Sequence, residues 1–161
     1  MVLFMYTMAT RIDETLNLDF DRILIDQPQP IYRWHTGTNK AGLSGEHMLH
    51  PSLIEPFKQL AEKRKAEGTR LYFPQERNNA KALKPQQIGW DGWRERAGLD
   101  WHWMPHTFRH TCLTNLFNDP KNPQAAICKL YRVSLRVALD TYYKVTKESM
   151  QVLQQSIEVT L

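Results

Sequence analysis

At 161 residues the chain has the length of one domain, and its 42% hydrophobic and 24% charged residues exclude a disordered or fibrous protein. No apolar run approaches the roughly 20 residues that a membrane-spanning helix needs, and two cysteines, Cys112 and Cys128, cannot form a disulfide framework, so we expect a cytoplasmic location. The net charge of +4 permits nucleic acid as a partner but does not require it.

The first predicted elements are a helix and a small sheet. Apolar side chains at helical spacing predict a helix over residues 2–18. Short strands are predicted at 22–25 and 30–35, and a third at HMLH (47–50) after turn-forming residues. These three strands would form an antiparallel sheet with a hairpin at 36–45.

The remainder of the chain is predicted to be mainly helical. Ser52 and Glu55 form a capping-box pattern that begins one helix, and Gly68 ends it. Residues 71–74 are predicted to be extended, and 75–84 to be a polar, basic loop. Further helices are predicted at about 85–97, 105–118, 122–131 and 134–155. The predicted fold class is therefore α+β, mainly α, with a small antiparallel sheet near the N-terminal part.

The segment PHTFRHT (105–111) is the first candidate for chemistry. Pro105 suits the first position of a helix, and His106 and Arg109 would then share one face. A helix N-terminus beside a guanidinium favours a phosphate, although this segment alone is more typical of a surface helix with a capping histidine. His102, His106 and His110 have a spacing that could suit a metal, but Pro105 interrupts a helix through all three, so we predict no metal site.

The segment VSLRVALDTYYKV (133–145) carries two adjacent tyrosines. Such tyrosines usually pack, but one can act as a nucleophile if cations surround it or a base takes its proton. Suitable groups occur elsewhere in the chain, at Arg11, Lys40, His106, Arg109 and Arg132.

These motifs together resemble the catalytic domain of the tyrosine recombinase (phage integrase) family, over about residues 1–145. TRIDETL is similar to the family's first-arginine motif, HTFRHT to its H-x-x-R motif, and LYRVSLRVALDTYYKV to its "LGHSSIxxTLDTYxH" stretch. The chain departs from the family at Arg132, where a histidine is usual. The resemblance implies the catalytic residues Arg11, Lys40, His106, Arg109, Arg132 and Tyr142, with Glu14 in support and Tyr143 as a substitute nucleophile.

The resemblance implies a site-specific recombinase or integrase that works without metal or other cofactor. Tyr142 would attack a DNA phosphate and form a 3′-phosphotyrosine, while the three arginines hold the phosphate oxygens. His106 would handle the phenol proton and Lys40 would protonate the departing 5′-oxygen. Double-stranded DNA and other recombinase protomers are the implied partners, with no membrane, in a bacterial or phage-encoded protein associated with the nucleoid.

Three alternatives remain at this point: a type IB topoisomerase, an inactive fragment that only binds DNA, and a metal-dependent nuclease. Family members generally carry an N-terminal helical domain, and here Arg11 lies close to the start, so we expect one N-terminally truncated catalytic domain over residues 1–161. Residues 146–161 are predicted to form a partner-exchanging tail or an ordinary C-terminal helix.

Overall fold

A computed structural model describes residues 1–34, 44–99 and 104–144 of the chain. The chain divides into two compact units, one from Met1 to Arg109 and one that begins at His110. That the two units make up a single domain stays a prediction.

The first unit begins with two short helices instead of the one predicted over residues 2–18. Helix α1 spans Val2–Thr7 and α2 spans Ile12–Leu16. The chain leaves helical geometry between them because Ala9 has a φ of 44°, in the left-handed region. The continuous helix was wrong because an apolar repeat does not reveal a single residue that reverses its backbone.

The three-stranded sheet is confirmed. Strands β1 (Ile23–Leu24), β2 (Ile31–Trp34) and β3 (Gly45–Met48) pair antiparallel in the order β1-β2-β3. Strand β3 begins two residues earlier than predicted, because Gly45 pairs with Trp34. A Cβ at Gly45 would lie 2.5 Å from the Trp34 ring, so this pairing requires glycine. Most of the predicted hairpin at 36–45 lies outside the described residues.

Helix α3 spans Pro51–Ala66, as predicted, but its cap differs. The N-cap is His50 rather than Ser52, and the Nδ1 atom of His50 accepts a hydrogen bond from the Ser52 backbone N–H at 3.3 Å. Gly68 has a φ of +69°, which confirms the predicted end of the helix.

The predicted loop at 75–84 is wrong. Strands β4 (Pro74–Gln75) and β5 (Asn78–Ala82) form a second, antiparallel sheet there. Most of β5 is exposed and polar, so its sequence has no alternation of apolar and polar residues that would have indicated a strand.

The core of the first unit lies among α1, the three-stranded sheet and α3. Aromatic rings meet at its centre, with the ring of Phe4 5.3 Å from that of Tyr32 and 5.4 Å from that of Phe57. Its buried members are Phe4, Met8, Leu18, Ile23, Ile25, Tyr32, Trp34, Leu49, Leu53, Phe57, Ala61 and Tyr72.

The later helices are shorter than predicted. A 3-10 turn at Pro85–Gln87 and helix α4 (Trp90–Arg96) replace the predicted helix 85–97. Helices α5 (His106–Asn118) and α6 (Gln124–Tyr131) agree with the prediction to within two residues. Helix α7 (Leu135–Thr141) ends well before residue 155, because the chain turns at Tyr142. Within the described ranges, none of the helices is long and apolar enough to cross a bilayer.

Candidate active site

Arg11 lies at the start of α2, where its backbone and side chain both contact Glu14. The Arg11 backbone N–H donates to Glu14 Oε2 at 3.0 Å, and the Glu14 Oε1 atom lies 3.6 Å from the Arg11 guanidinium. Glu14 is almost fully buried, whereas 41% of the Arg11 side chain is exposed. The buried carboxylate therefore orients a guanidinium that solvent, or a phosphate, can still reach.

Buried hydroxyl groups support the same turn. The hydroxyls of Thr10 and Thr15 form a hydrogen bond of 2.8 Å, and both residues are buried. Thr15 also donates from its backbone N–H to the Arg11 carbonyl at 3.0 Å. Arg11 therefore projects from a backbone whose polar groups are internally paired, which limits its movement.

Arg109 is buried, with only 2% of the residue exposed, and lies in the second turn of α5. Its guanidinium donates a hydrogen bond to the backbone carbonyl of Ala9, 100 positions earlier in the chain. Ala9 lies beyond the C-cap of α1 and before α2, so its carbonyl has no place in the hydrogen-bond ladder of either helix. The Arg109 guanidinium is thus held at the break between α1 and α2, at a residue that precedes Arg11 by two positions in the sequence.

His106 is the first residue of α5 and is exposed. Pro105 directly precedes the helix rather than occupying its first position, and its carbonyl accepts from the Phe108 N–H at 3.3 Å. The Met104 carbonyl accepts from the Thr107 N–H at 2.8 Å. The helix therefore begins where the H-x-x-R segment begins, and it places His106 and Arg109 one turn apart, as predicted.

In the second unit, Tyr142 lies at the end of α7 with 5% of the residue exposed. Its ring stacks on that of Phe117 at 6.0 Å and meets the ring of His110 edge-on at 5.2 Å. Tyr143 is only half-buried. Packing therefore defines the ring position of Tyr142 on two sides.

Arg132 connects α6 to α7 and is half-buried. Its φ of 56° and ψ of 49° are left-handed, a conformation that costs a non-glycine residue roughly 1 kcal/mol. The preceding Tyr131 is a poor acid, since burial, aided by the nearby Cys112 thiolate, raises the pKa of its phenol to about 12. Arg132 thus occupies a tight turn between two helices and not a helical position.

Residues 1–148 match the sequence profile of the Phage integrase family. The chain belongs to the phage integrase family. No curated protein matches this member in sequence.

Solved structures of integrases and recombinases share its fold. The Tn1549 transposon integrase in complex with a circular intermediate DNA superposes with a TM-score of 0.73 at 15% identity, covering 97% of this chain and 57% of that one. The same integrase with transposon right end DNA gives 0.71 at 16% identity, covering 96% and 56%. XerA recombinase gives 0.70 at 14% identity, covering 94% and 54%. The chain has the mainly helical tyrosine recombinase fold and spans little more than half the length of these neighbours.

Some residues that the sequence analysis singled out in this phage integrase family member lie outside the described parts of the chain. They include Lys40, His102 and the predicted tail at 146–161. In the part of the chain that the structure does describe, no three His, Cys, Asp or Glu side chains group as metal ligands.

Sequence reasoning missed three residues that contact Tyr142: His110, Phe117 and Asn118. The Asn118 side chain donates to the Tyr142 carbonyl at 2.8 Å. His110 and Phe117 are seven residues apart on one helix, and Asn118 is next to Phe117 in the sequence. Their i, i+7, i+8 spacing is the signal that could have placed them on one face of α5.

Proposed function

We propose that this chain is the catalytic part of a site-specific recombinase that cleaves and rejoins DNA strands through a 3′-phosphotyrosine at Tyr142. The observation that carries the proposal is the buried guanidinium of Arg109, held at the Ala9 carbonyl beside Arg11. Burying a cation is costly, and a guanidinium matches the non-bridging oxygens of a phosphodiester better than any neutral group does.

The chemical step is a phosphoryl transfer to the tyrosine. The Tyr142 Oη attacks the phosphorus, a P–Oη bond forms, and the bond from phosphorus to the 5′-oxygen breaks. His106 takes the phenol proton, and Lys40 gives a proton to the departing 5′-oxygen. Attack by a 5′-hydroxyl reverses the step, and a 5′-hydroxyl from another strand gives recombination.

Arg11, Arg109 and Arg132 supply the electrostatic stabilisation. They neutralise the charge that gathers on the phosphate oxygens in the transition state, and each lost donor costs about 3 kcal/mol of barrier. The buried Glu14 carboxylate is a positioning residue for Arg11. Because these cations do the work of a divalent ion, the reaction needs no metal or other cofactor.

Double-stranded DNA is the proposed substrate, and other protomers on that DNA are the proposed partners. The solved Tn1549 integrase structures are complexes with DNA, which supports this choice. We propose that residues 1–161 act as one catalytic domain in the cytoplasm, with 146–161 exchanged between protomers.

The test is a denaturing gel for a covalent protein–DNA adduct on nicked duplex substrates, with EDTA present. Tyr142→Phe should abolish the adduct, and the matched variant Tyr143→Phe should retain it. Both substitutions keep the aromatic ring, so packing is preserved in each. An adduct that persists in Tyr142→Phe, or that EDTA abolishes, would overturn the proposed mechanism. Joining of two sites, rather than relaxation of supercoils alone, separates recombinase from topoisomerase.

A second candidate is a DNA-binding module without cleavage. It is favoured by one observation, the 5% exposure of Tyr142, because a nucleophile must reach its phosphate. In that case the folded chain binds duplex DNA with a salt-dependent affinity but forms no adduct in the same gel.

A further inference from the structure

Asn118, the last residue of α5, contacts the chain on both sides of Tyr143. Its Nδ2 donates to the Tyr142 carbonyl at 2.8 Å, and its Oδ1 accepts from the Lys144 backbone N–H at 2.8 Å. One amide side chain thus pairs with a C=O and an N–H two residues apart. That arrangement imitates the pairing of one backbone strand with another.

The orientation of the Asn118 amide follows from its partners. Its Nδ2 faces a second carbonyl, that of Thr114 in the preceding turn, at 2.6 Å. Two carbonyls require the two N–H donors, and one backbone N–H requires the acceptor, so only one orientation satisfies all three. Both N–H groups of the Asn118 amide and one of the two lone pairs on its oxygen are therefore used.

The location of this contact explains why it matters. Helix α7 ends at Thr141, and the last backbone carbonyls of a helix have no partner within it. Tyr142 and Tyr143 both donate their N–H groups to the Ala138 carbonyl, at 2.9 and 3.0 Å, which closes the last turn. Asn118 then supplies the donor for the Tyr142 carbonyl, and so anchors the first residue after the helix.

The same end of α5 also carries the packing partner of the tyrosine ring. Phe117 stacks on Tyr142 at an interplanar angle of 6°. Two neighbouring residues of α5 therefore hold Tyr142 together, Phe117 through the ring and Asn118 through the backbone.

We propose that Asn118 is a positioning residue that holds the backbone of Tyr142, and with it the phenol oxygen, in the orientation for attack on the phosphate. This inference rests on the proposed role of Tyr142 as nucleophile. Asn118 touches no reacting atom, so its loss should change the rate of the covalent step and not the affinity for DNA.

The chain provides a matched control in Asn122. Its Nδ2 also donates to a backbone carbonyl of α5, that of Leu116 at 3.2 Å. Asn122→Ala therefore removes a hydrogen bond of the same kind, from a side-chain amide to a backbone carbonyl, in the same unit of the chain as Asn118→Ala. In addition, Asn118→Asp keeps the acceptor for Lys144 but removes both donors.

The first measurement is the single-turnover rate of adduct formation at saturating DNA, with the dissociation constant measured separately. We expect Asn118→Ala and Asn118→Asp to slow the step by on the order of 10²-fold, as a displacement of about 1 Å would. The dissociation constant should stay within twofold, and Asn122→Ala should cleave at the wild-type rate.

A second measurement does not depend on activity. With 3-fluorotyrosine at position 142, the ¹⁹F resonance should be single in the wild type and in Asn122→Ala, and exchange-broadened or split in Asn118→Ala. Unchanged ¹⁹F spectra, or equal rates for the Asn118 and Asn122 variants, would overturn the inference. If the wild type forms no adduct at all, the proposed function fails, and the ¹⁹F spectra alone then decide whether Asn118 positions Tyr142.

Discussion

The guanidinium of Arg109 donates a hydrogen bond to the backbone carbonyl of Ala9, two residues before Arg11. This contact joins the start of α5 to the break between α1 and α2. The positive φ of Ala9 makes this contact possible, because an unbroken helix would use the Ala9 carbonyl for its own backbone hydrogen bonds.

Substitution of Arg109 should affect stability and chemistry together. Arg109→Ala leaves the Ala9 carbonyl buried without this donor, and we expect a loss of about 2 kcal/mol in the free energy of unfolding. Arg109→Lys keeps the charge but loses the forked donor geometry, so cleavage should fall by on the order of 10²-fold. Urea unfolding and the adduct gel measure the two effects.

The control for Arg109 is Arg136→Ala, because the Arg136 side chain is 92% exposed on α7. It should unfold and cleave like the wild type. If Arg109→Ala were as stable as Arg136→Ala, the bond to Ala9 would contribute nothing.

Glu14 should contribute mainly as a cap. Glu14→Ala removes the acceptor for the Arg11 backbone N–H, and we expect about 1 kcal/mol of lost stability. Glu14→Gln keeps an acceptor oxygen and should lose less. Thermal or urea unfolding measures this, with Asp13→Ala as control, since the exposed Asp13 lies in the same turn. Equal losses for Glu14→Ala and Asp13→Ala would contradict the capping role.

Arg132 allows strain and catalysis to be separated. Arg132→Gly and Arg132→Ala both lack the guanidinium, but only glycine suits the φ of 56° without cost. We expect the glycine variant to be more stable than the alanine variant by about 1 kcal/mol, and both to cleave on the order of 10²-fold more slowly than the wild type.

Arg132→His tests the departure from the family at this position. A histidine still donates a hydrogen bond to a phosphate, so this variant should recover most of the cleavage that Arg132→Ala loses. Cleavage by Arg132→Ala at the wild-type rate would remove Arg132 from the mechanism.

The phenol of Tyr131 should make stability depend on alkaline pH. Burial raises its folded pKa to about 12, above the value of about 10 for an unfolded chain. The neutral phenol is therefore favoured by folding, so its contribution is complete below pH 10 and is lost as the pH rises towards 12. Urea unfolding from pH 8 to 12 should show this decline, and Tyr131→Phe should reduce it. Parallel curves for the two proteins above pH 10 would contradict the assignment.

The sequence predicted the elements that depend on local pattern. Helix α3 has its apolar spacing and its terminal Gly68, and strands β1 and β2 have β-branched and aromatic residues between turns. Strand β5 could not be predicted, because an exposed polar strand has no apolar face. Backbone pairing with β4, and not side-chain burial, determines it.

The candidate site shows the same division. The motifs around Arg11, Arg109 and Tyr142 were recognisable from residue type, order and spacing, which the sequence carries directly. The roles assigned to these residues stay predictions. The side chains that contact Tyr142 could not be predicted, because His110 and Asn118 lie 32 and 24 positions from it in the sequence.

The sequence by itself determined the family, the order of the chemically important residues and the helical periodicity that places them on their elements. Only the tertiary structure decided that the first helix breaks at Ala9, that Arg109 donates to the Ala9 carbonyl, and that Asn118 donates to the Tyr142 carbonyl. The physical reason is that the first is a single reversed backbone angle, and the other two are hydrogen bonds between groups far apart in the chain. Local propensity sets the elements, but a backbone carbonyl has the same chemistry at every position, and only the folded chain selects its donor.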